Sequence, residues 1–205
     1  MKHSSRHCGK GDAALITFLT NTWAQLELPQ CESGISELDM GCGKGKFTLA
    51  LARRYPERLV LGNDVMLGRL RRLDRKVERG GLSNLRLLRA SSLEMIAFQL
   101  PPQCIDRIHL LCPDPWPKDK HEVKRLVCSD FLCRLRRVLK PGGILHMSTD
   151  HAPYFEAWHR FVGQLSWFER ADGASDDVAD IKTDFEELWL SQGKTVQHVN
   201  WRLVG

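Results

Sequence analysis

The sequence predicts an α/β fold: a mainly parallel, doubly wound sheet with helices on both faces. Three observations predict it. Strand-like apolar segments alternate with helical ones five times, glycine and proline punctuate the joints, and each strand ends in a polar or glycine-rich cluster. Repeated strand–helix–strand units imply right-handed crossovers and a parallel sheet. Ligands of such sheets bind outside the carboxyl ends of the strands, where the unusual clusters fall.

Each element can be read in order. Residues 13–28 (AALITFLTNTWAQLEL) place Leu15, Ile16, Leu19, Trp23 and Leu26 near helical spacing behind Asp12, predicting a helix within an N-terminal arm over 1–34. The segment ISELDM is a first strand, running into glycines. FTLALARRY is a helix broken at Pro56, and RLVLGND a second strand. From Met66 to Arg79 the apolar positions are sparse and the arginines dense, as in a helix with a wet, basic face. NLRLLRA is a third strand, SSLEMIAFQL a helix stopped by Pro101 and Pro102, and CIDRIHLLC a fourth strand. Residues 122–139 form an amphipathic helix stopped by Lys140-Pro141-Gly142-Gly143, before the fifth strand, ILHMSTD. YFEAWHRFVGQL is a further helix and 171–180 a polar loop. Residues 195–204 alternate like a last strand, which the fold class expects to be antiparallel. The core spans 35–205, and the 205 residues form a single domain.

Composition narrows the class. At 42% hydrophobic and 27% charged residues the chain resembles neither a disordered segment nor a fibre. No apolar run reaches the roughly 18 residues of a membrane span, and the first residues lack the apolar stretch of a signal peptide. Seven cysteines without a C-x-x-C pair exclude a recognisable zinc module and argue against a disulfide framework, which points to the cytoplasm. The net charge of +5 is unevenly spread. Residues 53–89 hold eleven basic and four acidic side chains, residues 118–140 eight and three, and residues 169–187 two and eight. A basic middle suits a polyanionic partner, and equally a set of solvated helix faces.

Two clusters carry chemistry. The first is Leu38-Asp39-Met40-Gly41-Cys42-Gly43-Lys44-Gly45, a tight strand-to-helix turn without side chains where a ligand lies against backbone. Its G-x-G-x-G spacing puts Lys46 where a nicotinamide fingerprint has its third glycine. Asp64 ends the next strand, where a carboxylate can accept both hydroxyls of an adenosine ribose. Acids at 39 and 64 suit a net cationic cofactor, S-adenosylmethionine (SAM), better than a pyrophosphate. The second cluster is PDPWPKDKH at 113–121. Its prolines hold Asp114 in a stiff turn, Trp116 offers a face for stacking a base, and Lys118, Lys120, His121, Lys124 and Arg125 can grip a phosphate.

P-D-P-W-P-K, then L-K-P-G-G-I-L-H-M-S-T-D, then T-D-F-E resemble the tRNA (guanine-N7) methyltransferase family from about Ile35 to Leu203. The resemblance implies a Rossmann-like class I methyltransferase fold, SAM as cofactor, tRNA as partner and no metal. It implies that Asp39, Asp64 and the turn of Gly41, Gly43 and Gly45 contact SAM. Asp114 matches the acid treated as catalytic, which also borders the cofactor. Lys118, Asp150 and the motif Thr183, Asp184, Phe185 and Glu186 match positions assigned to substrate, and His121 lies in the basic loop beside them. Three features depart from the family's pattern, the first being an N-terminal arm shorter than expected and without the family's basic residues. Ser91 stands where an acid would meet the adenine amine, and is carried over as a cofactor contact. Glu187-Leu188-Trp189 stands where an Arg-Gly pair usually follows. A methyltransferase of another RNA or small molecule, and a SAM- or RNA-binding protein without turnover, remain alternatives, as do monomer and homodimer.

Overall fold

The computed structural model describes residues 16–19, 25–114 and 128–205. Among the described residues eight strands form one sheet in the order β1-β4-β3-β2-β5-β6-β8-β7. These are β1 (Ile16–Phe18), β2 (Ser36–Met40), β3 (Leu59–Asn63), β4 (Leu85–Arg89), β5 (Ile105–Leu111), β6 (Leu139–Thr149), β7 (Phe168–Arg170) and β8 (Gln197–Leu203). The pairings from β1 through β6 are parallel, and β8 runs antiparallel between β6 and β7. The mainly parallel sheet and antiparallel last strand are those the sequence predicts.

The helices are α1 (Lys46–Arg54), α2 (Leu67–Gly80), α3 (Ser92–Glu94, continued by a π turn over Met95–Gln99), α4 (Ser129–Val138), α5 (Ala152–Gly163) and α6 (Asp184–Ser191). One apolar cluster packs α4, α5 and the π turn against the sheet, through Phe131, Leu135, Trp158, Ile108 and Met147. A second packs α1 and α2 against the other face, through Phe47, Leu51, Leu73, Val77 and Leu87. Strands β2 and β3 are buried along their whole length, as strands covered on both faces must be.

Two expectations need correction. The helix over 13–28 is not present among its described residues. Ile16–Phe18 is a strand that pairs in parallel with β4, Ile16 opposite Leu87 and Phe18 opposite Arg89, and 25–28 has no regular structure. A bare β4 edge offers ladder partners to the branched and aromatic side chains of Ile-Thr-Phe, and that pairing overrides a helical apolar spacing. The Lys140–Gly143 segment ends α4 as expected, yet lies inside β6 as a bulge. Leu139 pairs with Ile105 and Ile144 with Arg107, so the extra residues loop out between two adjacent rungs.

Candidate active site

The turn after β2 builds the first wall of the site. Gly41 has φ 78°, and a Cβ there would point into open space, so the left-handed backbone rather than crowding calls for glycine. Gly45, with φ 76°, caps α1, and a Cβ on it would come within 2.4 Å of the Leu73 side chain on α2. The close approach of α2 to this turn therefore depends on a missing methyl group. Gly43 lies between them and donates its N–H to Asp64 Oδ2 at 3.1 Å.

The two acids differ in their partners. Asp39 is 3% exposed on β2, opposite Gly62, and accepts a hydrogen bond from the Thr48 hydroxyl on α1. Burial, reinforced by the charge of Asp64, pushes its carboxyl up to about 7 despite the hydrogen bond from Thr48. Asp64 is 5% exposed and held on three sides. Besides Gly43 it accepts from the Met66 N–H at 2.7 Å and from Arg69 Nη1 at 3.3 Å. A carboxylate has about four acceptor positions, so a further donor can still be taken.

The crevice at the strand ends has two adjoining parts. Asp39, Gly41, Gly43, Phe47, Thr183 and Phe185 are among the residues lining one. Gly41, Asp64, Ser92, Pro113, Asp114 and Phe185 are among those lining the other. Gly41, Arg69, Leu111 and Phe185 belong to both. Asp64 and Asp114 thus face one cavity, as the sequence predicts for guests held at a common mouth. Asp114 is exposed, two residues after Cys112, whose φ of 48° is rare outside glycine. The Cys112 N–H bonds to Ser148 O at 2.9 Å, and this fixes the turn that carries Asp114 out of β5.

Other expected residues fall in different places. Ser91 precedes α3, but Ser92 lines the cavity, donating its hydroxyl to Asn63 Oδ1 at 2.8 Å. Asp150, at the end of β6, sits 3.5 Å from Lys194. Thr183 caps α6, accepting from the Glu186 N–H at 3.0 Å, and α6 presents Asp184 and Phe185 to the crevice. Glu186 turns the other way. It is 2% exposed, 2.8 Å from Lys182 and 3.2 Å from His198. Trp116, Lys118, Lys120, His121, Lys124 and Arg125 lie outside the described residues.

Arg69, Phe47 and Ser92 are lining residues that sequence reasoning missed. Arg69 carried a usable signal, standing five positions after Asp64 at the start of α2, but eleven basic residues in that region hid it. Lys46 and Glu187, both singled out in the sequence, form an ion pair that ties the start of α1 to α6 beside the crevice. Among the described residues no group of three or more His, Cys, Asp or Glu could hold a metal ion, and no helix is long and apolar enough to cross a membrane.

A mainly parallel sheet whose strand ends carry a glycine turn, two buried acids and an exposed acid just after β5 has the organisation of a class I methyltransferase. A family profile described as "Putative methyltransferase" matches residues 34–199, and the chain belongs to that family. Among its relatives, a tRNA (guanine-N(7)-)-methyltransferase of Marinobacter nauticus is 39% identical over 171 residues, 82% of this chain and 70% of the relative. One of the same name from Nitrosomonas eutropha is 37% identical over 165 residues, 78% of this chain and 72% of the relative. For the Thermus thermophilus protein of that name the identity is 34% over 164 residues, but the chain spans only about half, 51%, of its length. Among solved structures, the 16S rRNA methyltransferase KamB superposes with a TM-score of 0.61 at 21% identity, over 85% of this chain and 91% of that one. The aminoglycoside resistance methyltransferase NpmB1 gives a TM-score of 0.54 at 22% identity, over 83% and 87%. These two likenesses concern the fold.

Proposed function

We propose that the chain transfers the methyl group of SAM to N7 of a guanine in tRNA. The observation that carries this reading is the crevice at the strand ends, one part lined by the buried Asp39 and the adjoining part by the buried Asp64 and the exposed Asp114. The shared name of the relatives supports the guanine and the tRNA. The donor set fits SAM. Asp39 is a buried carboxyl with only a hydroxyl partner, raised to about 7, and a cation placed beside it would relieve that cost. Gly41 leaves open space where a side chain would stand.

When bound, SAM supplies a methyl group on an electrophilic sulfonium. Asp64, with its orientation fixed by three donors, would accept from the ribose hydroxyls, and Asp39 would face the cationic end. Ser91 and Ser92 would lie towards the adenine. Guanine N7 carries an in-plane lone pair and no proton, so no general base is needed. The chain's work is to align, to exclude water and to stabilise the charge that grows on the ring. Asp114, two residues after the Cys112 turn, would serve the last of these and can accept from the base's N–H groups. Phe185 offers an aromatic face where the two parts of the crevice meet.

Phosphate contacts are assigned to the basic surface. Arg71, Arg72, Arg75, Lys76 and Arg79 are exposed along α2, beside the helix turn that carries Arg69. Lys118 and His121 are assigned to the nucleotide itself, together with Asp150, Thr183 and Asp184. Glu186 supports the site from behind. The test is incubation with methyl-labelled SAM and total tRNA, followed by nucleoside analysis. Label in 7-methylguanosine is expected. Label confined to another nucleoside, or none in RNA, would contradict the proposal.

A further inference from the structure

Beneath residues 171–182, on the face that carries α1, the sheet presents polar side chains in place of an apolar core. His109 on β5, His146 on β6 and His198 on β8 are hydrogen bonded in series across three strands. His109 Nδ1 meets His146 Nδ1 at 3.0 Å, and His146 Nε2 meets His198 Nδ1 at 3.0 Å. A carboxylate closes each end. Glu37 Oε2 is 2.8 Å from His109 Nε2, and Glu186 Oε1 is 3.2 Å from His198 Nε2. Glu37 is anchored in turn by Arg107 and Arg58, and Arg107 by Asp177.

Five groups thus make four links. Burial keeps His109 below the ordinary histidine range and His146 well below it, the latter helped by its histidine neighbours. Burial alone would raise Glu37 and Glu186, but hydrogen bonds from His109 and Arg107 lower the first, and those from His198 and Lys182 lower the second. Both carboxylates are therefore ionised. His198, whose side chain is 33% exposed, is the group through which the series meets Glu186.

We propose that His198 is a positioning residue: its imidazole fastens Glu186, and with it α6, to the sheet, and so keeps Thr183 and Phe185 at the crevice. The proposal rests on reading that crevice as the methyl-transfer site. Without the His198 side chain Glu186 is left to Lys182 alone. The other charged or titratable groups facing this point, among the described residues, are few. Asp172 and Asp176 line the same cavity from the covering segment, and Cys112, after β5, lies near Glu186. The Cys112 thiol is pushed up to about 11, chiefly by burial, and stays neutral.

The test compares, at one pH, the wild type with His198→Ala and with His198→Gln, which keeps an N–H within reach of Glu186. H198A should raise the KM for tRNA about tenfold with kcat within about twofold, and H198Q should restore most of the wild-type KM. An unchanged KM in H198A, or a KM in H198Q as high as in H198A, would overturn the proposal. Amide hydrogen exchange in α6 reads the same link without turnover. Protection should be lower in H198A than in the wild type, and equal protection in both would overturn it. Absence of methyl transfer together with that exchange pattern would count against the reaction and not against the role of His198.

Discussion

A buried carboxyl at the wall of a ligand crevice reports the charge of its ligand through its own proton. Asp39 has a folded value of about 7 against 3.8 in an ordinary aspartate, so between those values the folded chain keeps a proton that the unfolded chain has lost. Stability therefore falls as pH rises from about 4 to 7, and the cost is fully present above that window. A cationic ligand favours the ionised form. SAM binding should release a proton below pH ~7, and affinity should rise by up to about tenfold per unit before levelling off. Calorimetry in buffers of different ionisation enthalpy reads both quantities, and a pH-independent affinity without proton release would exclude the contact. Asp114 should behave differently because it is exposed. Asp114→Ala should lower kcat by at least ~10²-fold, while the free energy of unfolding stays within ~0.5 kcal/mol. Residues 39, 41, 64 and 114 were legible because each breaks the apolar pattern at a strand end. Glu186 was not, because a four-residue motif fixes neither the phase of its helix nor the partner, His198, that turns it inward.

Helices and strands owe their placement to contacts that local patterns reveal unevenly. Gly45 joins two requirements, a left-handed cap for α1 and room for Leu73. Gly45→Ala should cost ~1–3 kcal/mol from crowding, with the strained backbone adding to it. The cost is measurable by urea unfolding, and a neutral result would mean that α2 does not press on the turn. The five central strands and α1, α2 and α5 could be read from periodicity because each buries a whole face. β1 could not, since three residues carry no period and a neighbouring edge decided their state. Nor could β7, or the bulge within β6, since both depend on pairing partners distant in the chain. Polar residues inside strands were legible only as oddities. Glu37, Arg107 and His109 make sense together, once β2 and β5 are side by side.

The whole molecule is a sheet with one dry face, one partly polar face, and a mouth at the carboxyl ends. The network of Glu37, Arg58, Arg107 and Asp177 ties β2 and β5 to the segment that leads into α6. Arg107→Ala leaves the buried Glu37 with a weakened set of partners and should cost ~3–5 kcal/mol, read from the denaturant midpoint. Asp177 is held low chiefly by its hydrogen bonds to Arg107, so its share of this stability is present above the ordinary aspartate range and lost on acidification. The overall topology was legible because five strand–helix repeats admit few arrangements, and the mouth because unusual residues recur at the same end of each repeat. The central claim is that this mouth holds SAM between its two acids. Its most direct measurement is the melting temperature with SAM or NAD, for the wild type and for Asp64→Ala. SAM should raise it for the wild type, by an amount that grows with ligand concentration, NAD should not, and Asp64→Ala should lose most of the shift. A shift with NAD instead, or a full SAM shift in the variant, would contradict the claim.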